Sequence, residues 1–127
     1  MWTQSKESER KYKMNRIGGA WERGLGRTII HFGGNSGYQG LNLAFLFGAA
    51  KIILLGFDMQ RTEDKAHFFG THPYHSHNGT PSKDILKEWV NKFREISKDL
   101  EFEQVKVINA TRQTALDCFE RVPLEQC

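Results

Sequence analysis

The sequence predicts an α/β domain with a small parallel sheet of about three strands and covering helices. Three observations lead there. Short apolar runs rich in β-branched and aromatic residues, at 27–32, 51–57 and 103–110, have the length of strands. Two segments of helical character, 38–49 and 80–100, separate them. Strand, helix, strand, helix, strand in that order forces parallel pairing with right-handed crossovers, because each connection carries a helix across the sheet.

Each element has its own local cause. Arg27-Thr-Ile-Ile-His-Phe32 stops at Gly33-Gly34, where glycine frees the backbone to leave a buried strand. After the turn Gly33-Gly-Asn-Ser-Gly37, Leu41, Ala44, Phe45 and Gly48 recur at helical spacing, with Leu43, Leu46 and Phe47 on the other faces. A helix apolar nearly all round is a buried one. Lys51-Ile-Ile-Leu-Leu-Gly-Phe57 is the pattern of a central parallel strand covered on both faces. Thr80-Pro81 reads as N-cap and first helical position, and Ile85, Trp89, Phe93 and Ile96 mark an apolar stripe reaching about Leu100. Val105, Val107 and Ile108 centre the third strand; beyond Thr111 only a short helical turn around Ala115 to Phe119 is expected before Pro123 breaks the tail. The whole reads as a partial, truncated doubly wound fold of Rossmann-like type, in three layers.

A chain of 127 residues encloses one modest core. Residues 27–127 are read as that single domain, and residues 1–26 as a basic polar arm or cap, with Trp2, Tyr12, Met14, Ile17 and Trp21 scattered through it. The hydrophobic share of 39% and charged share of 26% exclude the disordered and fibrous classes. No apolar run approaches the roughly 18 residues of a membrane span, and the N-terminus lacks the apolar centre of a signal peptide, so a cytoplasmic location is expected. Much of the net charge of +3 sits on Lys6, Arg10, Lys11, Lys13, Arg16 and Arg23. Such an arm could touch nucleic acid or an anionic ligand, but a solvated basic N-terminus is the expectation. Cys118 and Cys127 would close only a short loop, so both thiols are expected free. Three strands leave two open edges and a thin core, which points to a homo-oligomer or a partner protein.

Three groups of residues could carry chemistry. In the turn after the first strand, Gly34, Asn35, Ser36 and Gly37 allow close backbone approach at a helix start, where free N–H groups favour an anion; the same residues also suit a plain turn with Asn35 or Ser36 as N-cap. Asp58 follows the central strand, at the end where open α/β sheets hold ribose-binding or catalytic acids. Four of the five histidines, His67, His72, His75 and His77, fall within eleven positions of a long loop. Histidine there serves as a base, a substrate contact, a metal ligand or simple loop polarity; the absence of a nearby cysteine argues against zinc, although Asp64 or Asp58 could complete a site. Phe68, Phe69 and Tyr74 between them could stack on a base or sugar ring. His31, among Ile30 and Phe32, reads as a satisfied structural residue.

The segments Gly33-Gly-Asn-Ser-Gly-Tyr-Gln-Gly-Leu-Asn-Leu-Ala-Phe-Leu-Phe-Gly-Ala, Lys51-Ile-Ile-Leu-Leu-Gly-Phe-Asp-Met59 and His67-Phe-Phe-Gly resemble phage and prophage proteins. Those in turn resemble the bacterial α-2,3-sialyltransferases of Rossmann-like fold. The resemblance spans roughly residues 28–114. It implies a nucleotide or nucleotide-sugar binding domain of glycosyltransferase type, in a bacterial host cell, with a cytidine monophosphate sugar as donor. Asn35, Ser36 and Gly37 would be donor contacts, Asp58 the acid of a Gly-x-Asp segment, and either His67 or His72 the general base. The first strand and Gly-x-Gly-Pro-Ser-Leu type loop of that family have no counterpart here, which suggests a fragment, a shortened relative or an inactive descendant. The alternative expectation is a non-enzymatic phage protein acting through self-association or a partner. No metal and no cofactor are assigned.

Overall fold

The structure, a computed structural model, describes residues 18–61 and 83–127. In chain order the elements are β1 (Gly19–Ala20), β2 (Ile30–His31), α1 (Ser36–Leu46), β3 (Lys51–Leu54), α2 (Lys83–Phe102), β4 (Lys106–Asn109), β5 (Glu120–Arg121) and a closing 3-10 turn (Leu124–Gln126). Every strand pair is parallel, and the strands form two small sheets, β1-β2 and β3-β4-β5. The chain is thus α/β with parallel strands, as its element order requires, but the strands are shared out differently from the sequence expectation.

The first difference is that β2 does not join β3. Its partner is β1, through Gly19↔Ile30 and Ala20↔His31. The other edge of β2 is closed by a side chain: Asn42 of α1 accepts from His31 N–H at 2.9 Å and from Gly26 N–H at 3.0 Å, and donates to the Gly26 carbonyl at 2.7 Å. One of these groups, the His31 N–H, lies on the second edge of β2, so there a fully buried amide supplies the acceptor that a neighbouring strand would. The second difference follows. β3 is an edge strand rather than a central one, and Ile53 and Leu55 stay 40% and 55% exposed. The third place in the sheet goes to β5, in register Ile108↔Glu120 and Asn109↔Arg121. The helical turn expected around residues 115–119 is irregular backbone instead. Two exposed charged residues carry no strand periodicity, which is why β5 is invisible to pattern reading.

Both helices end in the same way. Ala49 N–H bonds the Ala44 carbonyl and Gly48 N–H bonds that of Phe45, with Gly48 at φ +81°, so the last carbonyls of α1 are satisfied by a left-handed cap. At the end of α2, Val105 N–H reaches the Leu100 carbonyl and Gln104 N–H that of Glu101, with Gln104 at φ +59° in the role glycine plays in α1. On α2 the buried residues are Val90, Phe93, Ile96 and Leu100, a stripe of helical period facing the sheet.

The core gathers Tyr38 and Leu41 from α1, Leu54, Val107, Phe93, Ile96 and Leu100 from α2, Leu116 and Phe119. Phe93 is its centre: its ring meets those of Tyr38, Phe57 and Phe119 edge-on, at centroid distances of 5.5, 5.9 and 6.4 Å. Leu25, from the stretch before β2, is buried in the same core. Around it, Leu25 N–H donates to Asp99, the Tyr38 hydroxyl donates to the Gly24 carbonyl at 2.7 Å, and Arg23 and Arg27 pair with Glu95 on α2 and with Glu103 just past its end. His31 is held as a structural residue, with Nδ1 within 3.0 and 3.1 Å of the Arg23 and Gly24 carbonyls.

Replacing Asn42 by leucine keeps its volume and strands the Gly26 N–H, the Gly26 carbonyl and the His31 N–H. At about 1–3 kcal/mol for each orphaned group, Asn42→Leu should lower stability by about 3 kcal/mol or more in a urea titration. Burial pushes the Tyr38 phenol up to about 12 from its ordinary 10, with the Glu95 and Asp99 carboxylates adding to the effect. The unfolded phenol therefore ionises first, so its contribution is fully present below pH 10 and is lost as pH rises towards 12. Chemical melts over that range should show a loss of roughly 2–3 kcal/mol that Tyr38→Phe flattens.

Candidate functional site at the strand ends

The turn between β2 and α1 is built by its sequence. Gly33 is buried at φ +56°, and a Cβ there would lie 2.2 Å from the Tyr38 ring, so no other residue fits. Gly34, at φ +86°, is exposed, and a Cβ on it would stand 3.2 Å from Lys92 Nζ and 3.4 Å from Trp89 Nε1. The absence of that atom opens the turn to α2. Asn35 caps α1, its Oδ1 accepting from Tyr38 N–H at 2.8 Å. This leaves the Ser36 and Gly37 N–H groups at the open end of the helix, where the macrodipole is positive. Asn35 Nδ2 is buried and has no hydrogen-bond partner among the described residues.

Sequence reasoning assigned Gly34, Asn35, Ser36, Gly37 and Asp58 to one ligand site. The four turn residues are together at the start of α1, and the chain end of β3 lies beside them, since a Cβ on Gly37 would be 2.9 Å from the Phe57 ring. Asp58 is the next residue and is exposed, with its backbone carbonyl accepting from Ala115 N–H at 2.8 Å. His67 and His72, the candidate bases, fall outside the described residues, as do His75, His77, Phe68, Phe69 and Tyr74.

The exit of β3 is held by the loop after β4. Phe57 N–H donates to Thr111 Oγ1 at 3.0 Å and its carbonyl accepts from the Thr114 hydroxyl. Asn109, fully buried, fixes that loop in turn: its Oδ1 accepts from Thr111 N–H, and its Nδ2 donates to the Leu116 carbonyl and to Thr114 Oγ1. Gly56 and Met59, at φ +72° and +50°, bend the chain on either side of Phe57 and Asp58.

Four residues escaped the sequence reading. Trp89 and Lys92 sit three residues apart on α2 and form the wall facing Gly34; Lys92 is also paired with Glu88 at 2.8 Å. Trp89 was assigned to the apolar stripe, but it flanks the stripe and is only half-buried. Thr111 and Thr114 act through their hydroxyls on Phe57, a contact across more than fifty positions that no local pattern reveals. A second concavity of about 430 Å³ lies between the end of α2 and the start of β4, lined by Ser97, Gln104, Lys106 and Cys118. Burial pushes the Cys118 thiol up to about 11, against a hydrogen bond with Ser97 that lowers it, so near neutral pH it is a protonated, unreactive group.

No helix among the described residues is long and apolar enough to cross a membrane, and no group of three or more histidine, cysteine or acidic residues among them could hold a metal. No family model, curated protein or solved structure matches the chain.

Truncating the buried amide of Asn109 tests whether the strand-end geometry depends on it. Asn109→Ala should cost roughly 2–4 kcal/mol by orphaning the Thr111 N–H and Leu116 carbonyl. In hydrogen exchange the Phe57 and Ala115 amides should lose protection more than those of α2.

Proposed function

We propose that the turn at 33–37 binds the phosphate of a nucleotide or nucleotide sugar, with Lys92 and the free N–H groups of Ser36 and Gly37 as its anion contacts. The observation that carries this reading is Asn35 Nδ2, a buried donor without an acceptor at the mouth of a helix. An orphaned buried donor is costly, and an anion at the helix start would satisfy it. Lys92 Nζ beside Gly34 supplies the compensating charge. The Trp89 indole offers a ring face or an N–H donor for the rest of the ligand, and Asp58 an acceptor for a sugar hydroxyl. A parallel strand, a glycine turn and a helix with phosphate at its start are also what a partial Rossmann-like relative would retain, and the resemblance to sialyltransferases favours a cytidine nucleotide. On that reading His67 or His72 is the base for an acceptor hydroxyl, within about 3 Å of it directly or through one water.

Titration calorimetry with cytidine, uridine, adenine and guanine nucleotides tests the proposal. Cytidine nucleotides should bind, Ser36→Trp should abolish the heat, and Lys92→Ala should weaken binding by about tenfold or more. Asn35→Asp is the most discriminating variant. It keeps the cap and adds charge that suits a helix start, so melting should hold or rise, yet it replaces the orphaned donor with an acceptor and should lose the anion. Absence of heat with all four bases would remove this reading.

A further inference from the structure

Lys92 Nζ and Trp89 Nε1 lie 3.2 and 3.4 Å from the place where a single Cβ on Gly34 would stand, so two donors of α2 converge on one point of the turn. On the turn itself are the N–H groups of Ser36 and Gly37 and the buried Asn35 Nδ2, whose amide oxygen is already taken by Tyr38 N–H. An ammonium, an indole N–H and an amide N–H only donate, so the group that meets them presents acceptors in more than one direction. Gly34 is exposed and reached from solvent, yet at 3.2 Å even a methyl group is crowded between it and α2. A ligand therefore meets that wall with a free end, not with a linkage that runs on through the cleft. The charge of Lys92 is also not idle: Glu88 Oε1 holds its Nζ at 2.8 Å, one turn earlier on the same helix.

We infer that the ligand of this turn is the terminal phosphate of a phosphomonoester, such as a nucleoside monophosphate, in preference to the bridging phosphate of a nucleotide sugar, and that Glu88 enforces the choice by competing for Lys92. The inference rests on the phosphate reading of the turn and narrows its ligand class. A phosphomonoester carries three free oxygens and, above its second pKa of about 6, nearly two charges. A phosphodiester has two free oxygens, one charge and a substituent on each remaining oxygen. Three free oxygens can meet the turn and the α2 donors together, with the rest of the ligand leading out to solvent. The charge count agrees. A monoanion offers Lys92 no more than the Glu88 carboxylate already gives it, whereas a dianion outbids that carboxylate. Glu88 is more than half exposed and is free to swing into water when it is displaced.

Titration calorimetry on the whole chain compares cytidine monophosphate with its phosphate methyl ester, which keeps base and sugar but has one charge and two free oxygens. At about pH 8 the monophosphate should bind about tenfold or more tighter, the worth of one further charge-assisted hydrogen bond. That ratio should shrink as pH falls through about 6, where the monophosphate loses its second charge and the ester keeps its single one. A protein group that titrates over the same range acts on both ligands and leaves the ratio to report the phosphate. Lys92, by its hydrogen bond first and its charge second, holds the Glu88 carboxyl below the ordinary range, so Glu88 stays ionised throughout. Glu88→Gln should tighten the ester severalfold and narrow the ratio, whereas a merely structural role would move both affinities together. Trp89→Phe keeps a ring, removes the N–H and should weaken the monophosphate more than the ester. Equal affinities, or a ratio that does not change with pH, overturn the inference and leave the phosphate reading of the turn standing. No heat with either ligand or with inorganic phosphate overturns both. Should a variant fail to fold, the ratio and its pH course in the unaltered chain decide.

Discussion

The side chain of Asn42 is the contact on which the arrangement of this chain turns. A polar residue in the middle of a helix is buried only when its hydrogen bonds are met, and here they are met by Gly26 and by His31 of β2, 16 and 11 positions earlier in the chain. Three consequences follow. The stretch 23–31 is held against α1 and α2, where Leu25 enters the core. β2 has its second edge closed and pairs with β1 alone. β3 therefore stands at the margin of the other sheet among the described residues.

A second buried amide, Asn109, plays the corresponding part at the strand ends. It ties Thr111, Thr114 and Leu116 into one loop, and the two threonine hydroxyls hold the backbone of Phe57. Phe57 connects this loop to the rest, because its ring touches both Phe93 and the surroundings of Gly37. The turn at the start of α1 and the exit of β3 are thus positioned by the same core. Among the described residues one buried side-chain donor, Asn35 Nδ2, has no hydrogen-bond partner. The buried amides Asn42 and Asn109, by contrast, are hydrogen-bonded through both their oxygen and their nitrogen.

Much of the candidate site was legible. The glycines at 33 and 34 announce a backbone that ordinary residues cannot follow, Asn35 stands where a helix needs a cap, and Asp58 ends an apolar run of strand length. What sequence could not show was the facing wall. Trp89 and Lys92 lie on a helix some fifty residues away, and on that helix a half-buried tryptophan reads like any member of the apolar stripe.

By itself the sequence determined the α/β class, the parallel sense of the strands, the two helices and the turn that begins the first of them. These follow from local periodicity, from glycine and capping chemistry, and from the length of connections, all of which act within a few turns of chain. Tertiary structure alone decided which strand pairs with which, that an apolar run of central-strand character lies at an edge, and that two charged residues, Glu120 and Arg121, complete the sheet. The reason is physical: strand pairing satisfies backbone groups, and any group of suitable geometry can do so. A single buried asparagine side chain took the place of a strand, and nothing in the pattern around position 42 distinguishes that asparagine from one facing water.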